Sequence, residues 1–196
     1  VGDFNNDGFP DLYVANIGQN VLFENNGDGT FHNVTKEAGI AGNVWTSSCL
    51  IADLNGDSLP DISDVNYLGG ANIFTRVCGE PGRRVQCFPL DYPGEQDRVY
   101  LNQGDGTFRD VTDTSGIKLP FGKGMGVIAA DFDGSHRLSL LISNDTTPNF
   151  YFVNETPLNN SDSSKLSFNE QGLLACLALS QSGQASSCMG IAAGDI

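Results

Sequence analysis

Three short stretches of the chain place oxygen-bearing side chains at alternate positions. The first carries Asp3, Asn5, Asp7 and Asp11, the second Asp53, Asn55, Asp57 and Asp61, and the third Asp131, Asp133, Ser135 and Ser139. In each the oxygens fall at positions 1, 3, 5 and 9 of a nine-residue loop. Alternate side chains of a tight turn point inward, so each set can converge on one ion. A hard cation such as calcium takes about six to eight oxygens from a flexible loop, with carboxylates supplying the charge. The pattern therefore predicts Ca2+ ligation, with the backbone carbonyls of Phe9 and Leu59 joining the first two sets. The third set is poorer. Ser139 replaces a carboxylate, Arg137 adds positive charge, and His136 stands where the turn favours glycine. Two calcium sites are expected, and a weaker third at Asp131, Asp133 and Ser135.

The flanks separate these loops from an EF-hand, which needs a bidentate Glu at position 12 between two helices. Position 12 is held by Val14, Asp64 and Ile142. Pro10 and Pro60 precede the last ligand, and residues 11–16 and 61–66 after them are short segments of strand type. Each loop thus joins two β-strands.

The loops belong to larger repeats. Asp3, Asp53, Asp131 and Asp195 occupy one phase, and Asn16, Asn66 and Asn144 each follow the first loop Asp by 13 residues. Segments 21–25, 98–102 and 150–154 each end in Asn. Asn-Gly-Asp-Gly-Thr-Phe over 26–31 matches Gln-Gly-Asp-Gly-Thr-Phe over 103–108, a hairpin turn whose residues tolerate positive φ. Each unit closes on a small apolar run, 44–52, 124–130 and 189–194, before the next Asp. A unit reads as four short strands with the acidic loop between strands one and two. Four-stranded sheets recurring at roughly 40 to 50 residues are the signature of propeller blades, whose inner strands are buried on both faces. A β-sandwich has no reason to repeat one acidic turn in register. The expected fold is all-β: one incomplete β-propeller of about three blades over residues 1–196, with units at 3–52, 53–130 and 131–194 and an insertion at 68–96.

These motifs resemble the FG-GAP/VCBS repeats of integrin-α-type propellers, nearest to the branch in the ASPIC/UnbV and cartilage-acidic-protein family. The resemblance rests on residues 2–8, on 26–31 and 103–108 with Val34, Thr35, Val111 and Thr112, and on the run 124–131. It implies a seven-bladed propeller, calcium in the blade loops, and an extracellular or cell-surface setting. The chain departs from it in holding three units and in its degraded third loop.

Composition narrows the function classes. The net charge is −14, and nine of the 24 acidic residues sit at loop positions, where bound cations would cancel much of the excess. Nucleic acid is excluded as a partner because phosphate binding needs a basic surface. No apolar run is long enough to span a membrane. Five cysteines point to an oxidising compartment. Cys78 and Cys87 lie in the insertion, which is rich in Gly, Pro and Arg and has little core of its own, so a disulfide would staple it. Cys176 and Cys188 could pair across a loop. Cys49 reads as a small hydrophobe in an apolar strand. No Cys-x-x-Cys pair exists to hold zinc. Asn33, Asn144, Asn154 and Asn159 begin sequons, the last two in a polar expansion expected to be an exposed hairpin loop.

Only His32 and His136 are present, and neither sits in an acid, base or nucleophile constellation. The reading is a non-catalytic extracellular module for adhesion or ligand binding, not an enzyme, with a protein or glycan as ligand. A structural subunit of an extracellular fibre or coat is the second reading, and a carbohydrate-binding or carbohydrate-active propeller the third. The insertion, with Arg76, Arg83 and Arg84, is the expected partner surface. Residues 188–196 read as a first strand lacking its blade, and self-association through incomplete blades is expected from such open edges.

Overall fold

The computed structural model describes residues 1–40, 42–119, 122–158 and 164–194. In chain order its strands are β1 (Leu12–Val14), β2 (Ile17–Gly18), β3 (Val21–Asn25), β4 (Phe31–Asn33), β5 (Val44–Ala52), β6 (Asp61–Asn66), β7 (Cys78–Glu80), β8 (Arg83–Val85), β9 (Arg98–Asn102), β10 (Phe108–Asp110), β11 (Gly124–Ala130), β12 (Ser139–Asn144), β13 (Phe150–Asn154) and β14 (Phe168–Glu170). A 3-10 turn at Pro89–Asp91 is the one helical element among the described residues, and no helix there is long and apolar enough to cross a membrane.

The strands form antiparallel sheets that stack as propeller-like blades. Blade one is β1-β3-β4. Blade two is β5-β6-β9-β10, with β2 added to the inner edge of β5. Blade three is β11-β12-β13-β14. In blades two and three the acidic loop joins the first strand to the second, as the repeat predicts. Both inner strands carry a bulge at the same place, between Thr46 and Ser48 and between Gly124 and Gly126. There the Ser47 hydroxyl donates to the Gly124 carbonyl at 2.6 Å and ties the two bulges together.

Face-to-face packing explains why the inner strands do not alternate. All six residues of β6 are buried. Between blades one and two, Phe4, Tyr13, Leu22, Ala38 and Ile40 meet Ile62, Tyr100 and Phe108. Between blades two and three, Leu54, Val65, Val99, Leu101 and Ile117 meet Leu140, Ile142, Phe152 and Phe168. Each buried Val, Leu, Ile or Phe among them contributes about 1.5–3 kcal/mol. Cys49 packs at the margin of the first cluster as the small hydrophobe expected of it.

The insertion contains the β7–β8 hairpin, stapled by a Cys78–Cys87 disulfide with Cα atoms 5.3 Å apart. Because β6 runs away from the acidic loop, the insertion that follows it lies at the opposite end of blade two. It leans on blade three: Lys123 Nζ donates to the Pro89 carbonyl at 2.7 Å. Just before it, Tyr67 donates its hydroxyl to Asp145 at 2.6 Å.

Three expectations are corrected. Cys176 and Cys188 are both free. Residues 188–194 join no strand, although the Cys188 N–H donates to the Asn144 carbonyl at 3.1 Å. Asn154, expected in an exposed loop, is fully buried, and so is the sequon residue Asn144. Asn144 Nδ2 donates to the Pro148 carbonyl, and Asn154 Nδ2 to those of Leu54 and Leu138. Asn33 is exposed, whereas Asn159 and Asp195 lie outside the described residues.

A buried polar network runs through blades one and two. Tyr13 donates its hydroxyl to Asp64 at 3.0 Å. Asn20 Nδ2 reaches Asp64 and Thr46, and Thr46 donates to Asn66. The Asn66 N–H donates to Asp97 at 2.7 Å. Burial pushes the Asp97 carboxyl up to about 7, with Asp64 and Glu95 adding to the rise against the Asn66 bond. A carboxyl raised above its unfolded value of about 3.9 stabilises the fold while protonated, and that stability is lost as pH rises toward 7. In chelator, urea unfolding should therefore show greater stability at pH 5 than at pH 7.5, by up to about 1.4 kcal/mol per unit of pH change for this group. Asp97→Asn should narrow the gap, and an equal gap in the variant would remove Asp97 as its source.

Candidate metal centre

The three acidic loops share one backbone. The sixth residue of each lies in the left-handed region, Gly8 at φ +90°, Ser58 at +72° and His136 at +61°. His136 takes this conformation despite its side chain, at a cost of roughly 1–2 kcal/mol. The first loop residue closes the turn. Asp3 accepts the N–H groups of Asp7 at 3.1 Å and Gly8 at 2.8 Å. Asp53 accepts those of Gly56 and Asp57 through Oδ1 and of Ser58 through Oδ2. Asp131 accepts those of Ser135 and His136.

The third loop position joins the first at a common point. The Asp7 N–H is shared between Asp3 Oδ1 and Asn5 Oδ1, both at 3.1 Å, and Asn5 Nδ2 donates to Asp7 at 3.0 Å. The second loop repeats this with Asp53, Asn55 and Asp57. In the third, Asp131 and Asp133 share the Ser135 N–H at 3.0 Å each. Side chains 1 and 3 thus meet at the backbone N–H of residue 5 in each turn.

The ninth residue does something that spacing alone does not disclose. Asp11 is fully buried and spends both oxygens on backbone. It accepts the Phe4 N–H and the Asn25 N–H, each at 2.9 Å. Asp61 accepts those of Leu54 at 2.9 Å and Asn102 at 3.0 Å. Ser139 has one oxygen and takes one bond, from the Asn154 N–H at 3.1 Å. The carboxylate thereby ties the loop to the third strand of its own blade. Burial pushes Asp61 up to about 7, with Asp57 and Asp53 adding repulsion. Asp11 is raised for the same reason.

Asn25, Asn102 and Asn154, which end β3, β9 and β13, complete the joint. Their Nδ2 groups donate to the eighth loop residue, Pro10, Pro60 and Leu138. Asn102 and Asn154 also reach the second residue of the preceding blade's loop, Phe4 and Leu54, each at 2.7 Å. Their common phase in the sequence marked them, but not this role.

The donor set fits a hard cation in kind, since every side chain offered is an oxygen ligand. Asp3, Asn5 and Asp7 would hold it in the first loop with the Phe9 carbonyl, and Asp53, Asn55 and Asp57 in the second with the Leu59 carbonyl. Asp11 and Asp61 keep free lone pairs beyond their backbone bonds. Among the described residues the one group of three His, Cys, Asp or Glu ligand atoms lying within 4.8 Å of one another is Cys78, Cys87 and Asp91, whose sulfurs are joined in the disulfide; the three acids of neither of these two loops are drawn that close.

Removing the Asn clamp should loosen a blade junction. Asn102→Ala leaves the Phe4 and Pro60 carbonyls without their partner, at about 1–3 kcal/mol for each group left unpaired in the interior. Urea unfolding would measure the loss, and a change below about 0.5 kcal/mol, typical of an inert surface site, would dismiss the clamp.

An FG-GAP-like repeat model matches residues 3–62 and 90–142, more than half of the chain and including all three acidic loops. A comparison with curated proteins finds no match. The repeated loop, the blade architecture and this match agree, and the chain belongs to the FG-GAP-like repeat family.

Proposed function

We propose that the protein is a non-catalytic extracellular binding module whose blade loops are stabilised by calcium and whose insertion meets the ligand. The observation that carries this reading is a hollow of about 450 Å3 in the insertion. It is lined by Trp45, Tyr67 and Tyr92 together with Arg76 and Arg84, at the end of the blade opposite the acidic loops. Arg76 lies 5.4 Å over the Tyr92 ring and pairs with Asp91 at 3.7 Å. Trp45 packs edge-on to Tyr67 at 5.3 Å. Phe74, Phe88 and Leu90 around it are each about 70% exposed. Aromatic and Arg side chains of this kind anchor interfaces. The disulfide holds the surface in shape and suits an oxidising compartment.

Neither histidine faces that hollow. His32 sits on a hairpin beside Glu24 at 3.3 Å, and His136 is on the acidic loop of blade three. The aromatic lining also suits a glycan, so glycan and protein are both admissible ligand classes.

Calcium supplies positive charge that offsets crowded carboxylates, and this chain's loops supply the oxygens. Dissociation constants of extracellular modules are on the order of 0.1–1 mM. At about tenfold excess each site adds roughly 1.4 kcal/mol. Thermal unfolding with calcium should give a higher midpoint than with chelator, and calorimetric titration should count two strong sites. A midpoint indifferent to chelator would end the calcium assignment, and a third equal site would overturn the ranking of the loops.

Deleting residues 71–92 should leave the blades folded and abolish ligand capture in a screen of glycans and extracellular proteins. Ligand binding retained by the deleted protein would move the binding surface elsewhere.

A further inference from the structure

The insertion differs in charge from the rest of the molecule. Residues 71–92 hold three of the ten basic residues and two of the 24 acidic ones, so they are net +1 on a body of net −15. Arg76 is committed, because it pairs with Asp91 and lies over Tyr92. Arg84 is not. It lines the hollow, is exposed, and makes no ion pair or side-chain hydrogen bond among the described residues. Its partner across the β7–β8 hairpin is Gly79, which offers no side chain, whereas Arg83, on the other face, stands opposite Glu80.

The hollow beside Arg84 has aliphatic walls. Leu68, Ile73, Val77 and Val85 line it together with the Cys78–Cys87 disulfide. Its volume of about 450 Å3 falls within the roughly 300–1,000 Å3 of ligand pockets. A sugar ring would need a bare aromatic face to lie on. Here the rings are engaged with one another and with Arg76. Phe74 stacks on Trp45 at 6.3 Å, Tyr67 meets Trp45 edge-on, and the Arg76 guanidinium sits over Tyr92. An apolar peptide side chain needs only the aliphatic walls.

We infer that the hollow takes an acidic segment of a partner protein, with an apolar side chain between the aliphatic walls and a neighbouring Asp or Glu carboxylate on Arg84. This rests on the reading that the insertion meets the ligand, and it adds the ligand's chemistry. Arg presents a planar fork that matches a carboxylate with two parallel N–H bonds. The pair forms beside an apolar wall, where it is screened less than in open water. Charge also sets the approach. The acidic loops at the other end of the blade repel an anionic segment, so the insertion is the end at which it settles.

Short random peptides displayed on phage test this against the intact chain, in calcium and at about 0.15 M salt, where charges more than about 8 Å apart are screened. The wild type should enrich peptides that carry an apolar residue beside Asp or Glu. A synthetic copy of an enriched peptide should bind Arg84→Ala about tenfold more weakly, since a hydrogen-bonded charge pair is lost. Arg84→Glu should enrich Lys or Arg in place of the acid. Both variants should keep the wild-type circular dichroism, because Arg84 is exposed and unpaired. Should Arg84→Glu misfold, converting the peptide's acid to its amide should cost the same loss on the wild type. Enriched peptides that lack an acid, or that bind Arg84→Ala as well as the wild type, overturn the inference; if deleting residues 71–92 abolishes their binding, the insertion remains the ligand surface. Peptides bound equally by the deleted protein overturn both readings. A wild type that enriches no peptide overturns the inference, whether or not a glycan binds.

Discussion

The buried carboxylate that ends an acidic loop joins three parts of a blade that are far apart in sequence. Asp61 holds the N–H of Leu54 at the start of its loop and the N–H of Asn102 at the end of β9. Loop, second strand and third strand are thereby locked at one corner. The same Asn then reaches the preceding blade through Phe4. Two strong acceptors in a dry site outweigh the burial of an anion only if each oxygen is satisfied. That requirement dictates where the hairpin after β9 begins and how blade one meets blade two. Ser139 shows the joint in reduced form, with one bond in place of two.

The corner also explains why the loops are so acidic. A carboxylate committed to backbone sits beside two more that close and line the turn; burial raises Asp61 most, and the repulsion of Asp57 and Asp53 adds to it. A divalent cation would reverse that repulsion locally without disturbing the backbone bonds. Blade three, where Ser139 replaces the third acid and Arg137 sends a guanidinium N–H to the Thr156 carbonyl at 3.2 Å, has less repulsion to relieve. Charge and backbone geometry are therefore matched loop by loop.

Much of this was legible in the sequence. The phase of Asp3, Asp53 and Asp131 revealed the blades, and the insertion's poverty in core residues revealed its disulfide. What stayed hidden was long-range. Asn-x-Thr at Asn144 and Asn154 looks like a surface signal because the motif carries no record of burial, and both side chains are consumed by backbone carbonyls. The run at 188–194 has the composition of an inner strand, yet strand structure needs a partner edge, and none pairs with it among the described residues. Nothing in its spacing marks Asp97, which is buried and accepts the Asn66 N–H.

Each Asn clamp reaches only the adjoining blade, and this gives the molecule a one-dimensional character. Its cohesion is a sum over nearest neighbours, as in stacked repeat arrays. Blade two is gripped on both sides, through Asn102 toward blade one and by Asn154 from blade three. Cooperativity is accordingly graded along the stack. A blade clamped on both sides opens less readily than one clamped on a single side.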